Sequence, residues 1–238
     1  MRRVSDLKVK IFADGADKAG MLEMNEKTFV SGFTTNPTLM KMAGVSDYEA
    51  FAKDILLSIP DKPVSLEVFS DDFQEMERQA LKLNDLGSNV YVKIPISNTK
   101  GETSYDLIKT LSGKGVKLNV TALMTLEQVR ETTYAMEKAS SGIISVFAGR
   151  IADTGVDPIP VMQASLEIMK LNPSLELIWA SPRELLNIFQ ADAMGCHIIT
   201  VTNDVLKKLS NVGKDLNEFS LDTVKMFRND AVKAGFIL

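Results

Sequence analysis

The sequence predicts an α/β protein: a single-domain (β/α)8, or TIM, barrel with an additional C-terminal helix. Three observations carry that prediction. Eight short β-rich runs recur along the 238 residues, and stretches of helical periodicity alternate with them, the pattern of a parallel sheet covered by helices. The runs are almost continuously apolar, as in Val90-Tyr91-Val92 and Ile143-Ile144-Ser145-Val146-Phe147, which suits strands buried on both faces. The length is close to the ~250 residues usual for one closed barrel. A doubly wound open sheet is the alternative for the same alternation. No linker, low-complexity stretch or internal repeat divides the chain, so residues 1–238 are read as one domain.

In chain order the strands are expected at residues 9–13, 29–34, 64–69, 89–94, 117–122, 143–148, 175–180 and 197–202. Between them the helices carry their own punctuation. Thr125 with Gln128 three residues on forms a capping box and opens a helix running to about residue 139. Asp157-Pro158 opens another with proline at its first position, and Asn172-Pro173 stops it. Gly113, Gly142 and Gly195 stand where helices should end. A last helix is expected over residues 221–234, ending at Gly235.

Hydrophobic residues make up 45% and charged residues 24%, the balance of a soluble globular protein long enough to build a core without staples. A net charge of −4 argues against nucleic acid or an anionic membrane as the main partner. It leaves room for an anionic small molecule in a locally basic pocket. Cys196 is the one cysteine, so no intrachain disulfide is possible and a reducing, cytoplasmic setting is expected. The start, Met1-Arg2-Arg3, is basic, but no apolar stretch of signal length follows it. No apolar run approaches the ~20 residues that span a bilayer. One histidine and one cysteine leave too little imidazole and thiolate for a zinc site, so no metal is expected.

In a barrel the chemistry sits at the C-terminal ends of the strands, and each expected end carries residues that a plain core would not choose. The first ends in Asp14, the second in Thr34-Thr35-Asn36-Pro37. The third carries Glu67, the fourth Lys93, and the fifth Asn119 and Thr121. The sixth carries Ser145 and leads to Arg150; the seventh ends in Ser181, the eighth in Thr202-Asn203.

Lys93 is the most telling, because lysine is depleted in strands and almost never fully buried unpaired. Burial penalises the charged form of an amine, and a neutral amine is a nucleophile toward carbonyls. The alternative is an edge lysine that reaches solvent or pairs with Glu67 or Asp14. Asp14 and Glu67 are candidate proton-transfer carboxylates, with capping of the next helix as the alternative for Asp14.

Asn36, Asn119 and Thr121 are candidate partners for sugar hydroxyls. Asn119 and Thr121, two apart, share one face of their strand, and Asn36-Pro37 is also ordinary turn chemistry. Arg150 is a candidate phosphate ligand, or else a surface arginine paired with Asp153 or Asp157. Arg183 stands near a helix start, where anions are favoured, though ordinary solvation also accounts for it. Cys196 and His197 fall at the wrong end of a barrel for catalysis and read as structural. Trp179 reads as core, and the twelve methionines as packing.

Four motifs in order resemble the transaldolase family, including the short branch that contains the fructose-6-phosphate aldolases. They are Ile11-Phe12-Ala13-Asp14, Gly32-Phe33-Thr34-Thr35-Asn36-Pro37-Thr38, Val90-Tyr91-Val92-Lys93-Ile94-Pro95 and Leu118-Asn119-Val120-Thr121-Ala122. The resemblance runs from Ile11 to Gly235 and implies a cofactor-free enzyme of carbohydrate metabolism, of the pentose phosphate kind. It would move a dihydroxyacetone unit from a ketose phosphate to an aldose phosphate through a lysine Schiff base.

Roles follow from the resemblance. Lys93 would form the imine, Asp14 would take the proton of the donor's C4 hydroxyl, and Glu67 would assist dehydration through a water. Thr121 would position that water or the lysine. Thr35, Asn36, Asn119 and Ser145 would hold the dihydroxyacetone unit, and Arg150 would bind phosphate. Glu67 and Phe147 resemble the transaldolase side, since the aldolase branch usually carries glutamine and tyrosine there. The seventh strand departs from the family's serine, phenylalanine and basic residue: it reads Trp179-Ala180-Ser181-Pro182-Arg183, and leaves open whether Ser181 and Arg183 complete the site. Short members are commonly ring-like, so a homo-oligomer is implied. An aldolase for fructose 6-phosphate or a modified sugar, and a non-catalytic sugar-phosphate-binding barrel, are the rival readings.

Overall fold

A computed structural model describes residues 3–237; Met1 and Arg2 of the basic start, and Leu238, lie outside the described residues. The chain runs β1 (Lys10–Asp14), α1 (Lys18–Asn25), β2 (Val30–Thr34), α2 (Pro37–Met42), α3 (Tyr48–Ser58), β3 (Val64–Glu67), α4 (Phe73–Asn84) and β4 (Val90–Pro95). It continues with α5 (Tyr105–Gly113), β5 (Leu118–Leu123), α6 (Leu126–Ala135), β6 (Gly142–Val146), α7 (Ala148–Asp153), α8 (Pro158–Met169) and β7 (Leu175–Trp179). It ends with α9 (Leu186–Ala193), β8 (Ile198–Thr202), α10 (Asn203–Leu206) and α11 (Leu216–Lys233).

The strands pair in chain order, all parallel, and β8 returns to β1 with Lys10 opposite Ile198 and Asp14 opposite Thr202. That closure makes the fold a (β/α)8 barrel and excludes the open sheet. Side chains alternate across each strand, so the barrel interior can be followed position by position. A lower layer is apolar: Phe12, Ile143, Ile178 and Ile198 pack together, with Tyr91 against them. Gly32 completes this floor, because a Cβ there would stand 2.6 Å from the Phe12 ring. Two residues further along the same strands the layer turns polar, with Asp14, Thr34, Lys93, Ser145 and Thr200 facing one cavity. An apolar plug beneath a polar mouth holds the mouth rigid and dry from below. Leu66, Val92, Ile94, Leu118, Val120 and Leu177 face outward and are fully buried beneath the helices.

Local signals account for most boundaries. Asp17, Asp47, Asp72 and Asp157 each accept a backbone N–H at a helix start. The capping box of Thr125 and Gln128 is present at α6, although the helix stops at Ala135, short of residue 139. Two expectations need correction. Gly142 is a strand residue, the first of β6, not a helix stop. The last helix begins at Leu216, five residues earlier than expected, because Asp215 caps it by accepting from Asn217 and Glu218 N–H groups at 2.8 and 3.1 Å. No described residue of α11 is buried, and Leu216, Phe219, Leu221, Val224 and Phe227 are exposed along it. No helix among the described residues is long and apolar enough to cross a membrane.

Candidate active site

At the C-terminal mouth lies a cavity of about 430 Å3. Of the residues singled out in the sequence, Asp14, Asn36, Glu67, Lys93, Asn119, Thr121, Ser145, Phe147, Arg150 and Ser181 line it, while Thr35 and Arg183 do not.

Lys93 is 6% exposed, so it is not an edge lysine reaching solvent. The β3–β4 register sets Glu67 directly opposite it. Its Nζ donates to Glu67 Oε2 at 2.8 Å and to the Thr35 carbonyl at 2.7 Å. An amine held at two points by acceptors is aimed, and its third direction is the cavity. Thr35 serves the lysine with its backbone; its hydroxyl turns away to the Ser65 carbonyl at 2.9 Å.

Asp14 does not cap α1; Asp17 does. Asp14 keeps some surface, which opens on the cavity. Burial raises its carboxyl's proton affinity above the ordinary carboxylate range. The Thr34 hydroxyl, donating to Oδ1 at 2.7 Å, and the Lys93 charge oppose that rise, while Glu67 adds to it. Such a carboxylate is a stronger base than a solvated one.

A second polar chain crosses the cavity floor. Ser145 Oγ donates to Asn119 Oδ1 at 2.6 Å, and Asn119 Nδ2 donates to Ser65 Oγ at 3.0 Å. Both ends of the Asn119 amide are thereby fixed. Thr121 Oγ1 is buried without a hydrogen-bond partner among the described residues, although the residue borders the cavity. Asn36 caps α2 by accepting from Leu39 N–H at 3.0 Å, which leaves its Nδ2 for the cavity.

Arg150, on α7, has no ion pair among the described residues; Asp157, one of its two expected partners, caps α8. Asp153, the other, is taken by Arg183, whose Nε donates to it at 2.8 Å and whose Nη1 donates to Ser181 Oγ at 3.0 Å. Arg183 thus reaches the cavity wall only through Ser181. Ala122 and Ser181 both line the mouth in the left-handed backbone region, at φ 67° and 60°, where residues other than glycine are strained.

His197 and Cys196 lie at the opposite end. His197 Nδ1 accepts from Leu177 N–H at 2.9 Å, and burial pushes the Cys196 thiol up to about 12, so neither acts at the mouth. The sequence reading named Thr34 at a strand end without giving it a role, and did not single out Thr200 or Ser65. The pleat puts Ser65 on the face of Glu67 and Thr200 on that of Thr202, whereas the pairing of Thr34 with Asp14 comes from the β1–β2 register.

Fold and site together define a (β/α)8 barrel with a buried, carboxylate-paired lysine and a second carboxylate at its C-terminal mouth. The chain belongs to the transaldolase/fructose-6-phosphate aldolase family, whose model matches residues 11–237. A probable transaldolase of Methanococcus maripaludis (strain C5) is 33% identical over 204 residues, 85% of this chain and 90% of that protein. A probable transaldolase of Thermoanaerobacter sp. (strain X514) is 32% identical over 228 residues, 95% of this chain and 99% of the other. A solved dihydrodipicolinate synthase from Rhodopseudomonas palustris shares the fold, with a TM-score of 0.58, 17% identity and coverage of 90% of this chain and 79% of that one.

Proposed function

We propose that the protein is a cofactor-free transaldolase that carries a dihydroxyacetone unit on Lys93. The donor would be a ketose phosphate such as fructose 6-phosphate or sedoheptulose 7-phosphate, and the acceptor an aldose phosphate. The observation that carries the reading is the Lys93 amine, buried and aimed by Glu67 and the Thr35 carbonyl at a polar cavity.

Lys93 gives a proton to Glu67, 2.8 Å away; the freed amine adds to the ketose C2 carbonyl, and Glu67 returns the proton through a water so that the carbinolamine loses its hydroxyl as water and leaves an iminium. Thr121 holds that water. Asp14 then takes the C4 hydroxyl proton; the C3–C4 bond breaks, its electron pair enters the iminium to give a neutral enamine, and the aldehyde leaves. The steps reverse with the acceptor. Asn36, Asn119 and Ser145 hold the three-carbon unit, with Phe147 as a wall. Arg150 takes the phosphate, and Ser181, braced by Arg183, borders it. The similar proteins named probable transaldolase support the transferase over a simple aldolase.

The test is intact mass after incubation with fructose 6-phosphate and borohydride. A reduced three-carbon adduct that disappears when an aldose phosphate is added before the reductant is the expected result. Release of free dihydroxyacetone without an acceptor would make the protein an aldolase, and no adduct with any ketose would remove the enzyme reading. Arg150→Ala should raise KM for phosphorylated donors by roughly 10- to 100-fold, the value of a charge-assisted hydrogen bond, and leave an unphosphorylated ketose untouched. Equal losses on both donors in steady-state kinetics would take the phosphate away from Arg150.

The apolar residues exposed along α11 support a homo-oligomer, since contiguous apolar surface marks an interface. Light scattering should give several times the mass of one chain; a monomer mass would remove this reading. The single, buried Cys196 is consistent with a cytoplasmic setting.

A further inference from the structure

Asp14 is hydrogen-bonded by one side chain, and that side chain is itself held by another. β1 lies between β2 and β8 in the barrel. From β2, the Thr34 hydroxyl donates to Asp14 Oδ1 at 2.7 Å. From β8, the Thr200 hydroxyl lies in hydrogen-bond contact with the Thr34 hydroxyl. A hydroxyl has one proton to give. Thr34 gives its own to an ionised Asp14, so its oxygen accepts from Thr200, and the chain runs Thr200 to Thr34 to Asp14. Thr34 and Thr200 are 3% and 7% exposed, so water cannot readily take their place, and both border the cavity.

We propose that Thr34, braced by Thr200, is the positioning residue for Asp14: it pins Oδ1 and leaves Oδ2 as the oxygen that meets the substrate hydroxyl. The inference rests on the reading of Asp14 as the base in the lysine mechanism. It adds what makes that base usable. A carboxylate enclosed by protein loses water that would otherwise stabilise its charge, and a donated hydrogen bond from Thr34 replaces part of it. The proton taken from the C4 hydroxyl forms an O–H bond on Oδ2, while the electron pair of the broken O–H bond becomes part of the new carbonyl. The Thr34 bond to Oδ1 survives that transfer.

The charged groups facing Asp14 are Lys93 from β4 and Glu67 from β3. β2 and β8 contribute hydroxyls only. Asp17, in the loop after β1, is committed to the Gly20 N–H, and Asp204 on α10 is exposed. Removing the Thr34 hydroxyl therefore removes stabilisation of the ionised form without altering another charge. The ionisation of Asp14 then moves to higher pH, and so does the acid limb of the rate.

The experiment is the pH profile of kcat/KM for wild type, Thr34→Val, Thr34→Ser and Thr200→Val, with the borohydride-trapped adduct weighed for each. Thr34→Val should lower kcat roughly 10- to 100-fold with KM little changed, and move the acid limb up by about one pH unit, the worth of a hydrogen bond to a charged group. Its trapped adduct should shift from the three-carbon unit toward the intact six-carbon ketose, because imine formation precedes the step that Asp14 serves. Thr34→Ser should recover most of the rate and the wild-type acid limb. Thr200→Val should move the limb in the same direction by less. A Thr34→Val profile that superimposes on wild type, or a Thr34→Ser enzyme as impaired as Thr34→Val, overturns the role of Thr34. If Thr34→Val does not fold, Thr200→Val decides, and an unmoved limb there overturns the proposal. An adduct on the wild type with no such shift defeats Thr34 alone; no adduct on the wild type defeats the lysine reading and this role with it.

Discussion

Lys93→Met is expected to lower kcat/KM by about 10,000-fold or more and to abolish the borohydride-trapped adduct, since no other group in the mouth can form an imine and removal of a covalent nucleophile costs on that order. Its effect on stability depends on whether the partner charge is left behind. Burying an ion pair costs desolvation that the pairing only partly repays, but removing one partner leaves the other charge stranded. Methionine at position 93 keeps the volume and strands Glu67, whose side chain is 16% exposed. The single variant should therefore melt below wild type. The double variant Lys93→Met, Glu67→Gln, which strands no charge, should melt near or above wild type and still be inactive. A pair kept only to hold the barrel together predicts something else: the double variant would regain activity along with stability. Thermal unfolding of the three proteins beside their rates separates the two, and any turnover in the stable double variant would end the nucleophile reading.

That contrast explains what was legible in the sequence. A lysine, a glutamate and an asparagine inside apolar strands break the rule that builds the rest of the strand. They therefore stand out without an alignment, and the pleat then says which of them face the same way. Phe12 with Asp14, Ile143 with Ser145, and Ile198 with Thr200 are pairs two residues apart on one face. In the closed barrel these pairs separate an apolar floor from a polar mouth. Eight alternating strands point to a barrel but also fit an open sheet, and the pairing of β8 with β1 decides between them.

The illegible part is what depends on partners far along the chain. Threonine is an ordinary strand residue, so although Thr34 stood at a strand end, its bond to Asp14 and its brace from Thr200 appear only once β8 lies beside β1. Thr35 and Thr34 differ by one position, and one position exchanges the two faces of a strand. The motif named the pair of residues, and the closed barrel decided that Thr34 turns its hydroxyl inward while Thr35 lends Lys93 a carbonyl. Arg150 and Arg183 are both cations near Asp153, and only folding assigns that carboxylate to Arg183. The left-handed backbone of Ala122 and Ser181 carries no residue-type signal, since neither is a residue that chooses it. The β5–β6 register shift between Val120 and Leu123 marks where Ala122 leaves regular strand geometry.

Gly149→Ala is expected to damage both stability and activity, although the residue contributes no side chain to the cavity. Gly149 opens the first turn of α7, and its N–H donates to the Ala180 carbonyl at 3.3 Å. A Cβ there would stand 1.5 Å from the Ser181 carbonyl oxygen and 2.7 Å from its carbon. Both obstacles are backbone, so no rotamer change relieves the overlap; one of the two loops must retreat. Overpacking of this kind costs about 3 kcal/mol or more, which for a chain of this length lowers Tm by roughly 6–12 °C. The loops that would retreat carry Arg150 on one side and Ser181 on the other, and a displacement of about an ångström at a binding group costs on the order of 100-fold in rate. The loss should therefore concentrate on phosphorylated substrates. Gly113→Ala is the matched control: nothing lies within 4 Å of its added Cβ, and alanine at the end of α5 should be neutral or slightly stabilising. Melting curves of the two alanine variants, with kcat/KM on a phosphorylated and an unphosphorylated ketose, read the difference directly. If Gly149→Ala melts with Gly113→Ala, the close approach of α7 to Ser181 does not exist, and the placing of Arg150 beside Ser181 loses its structural basis.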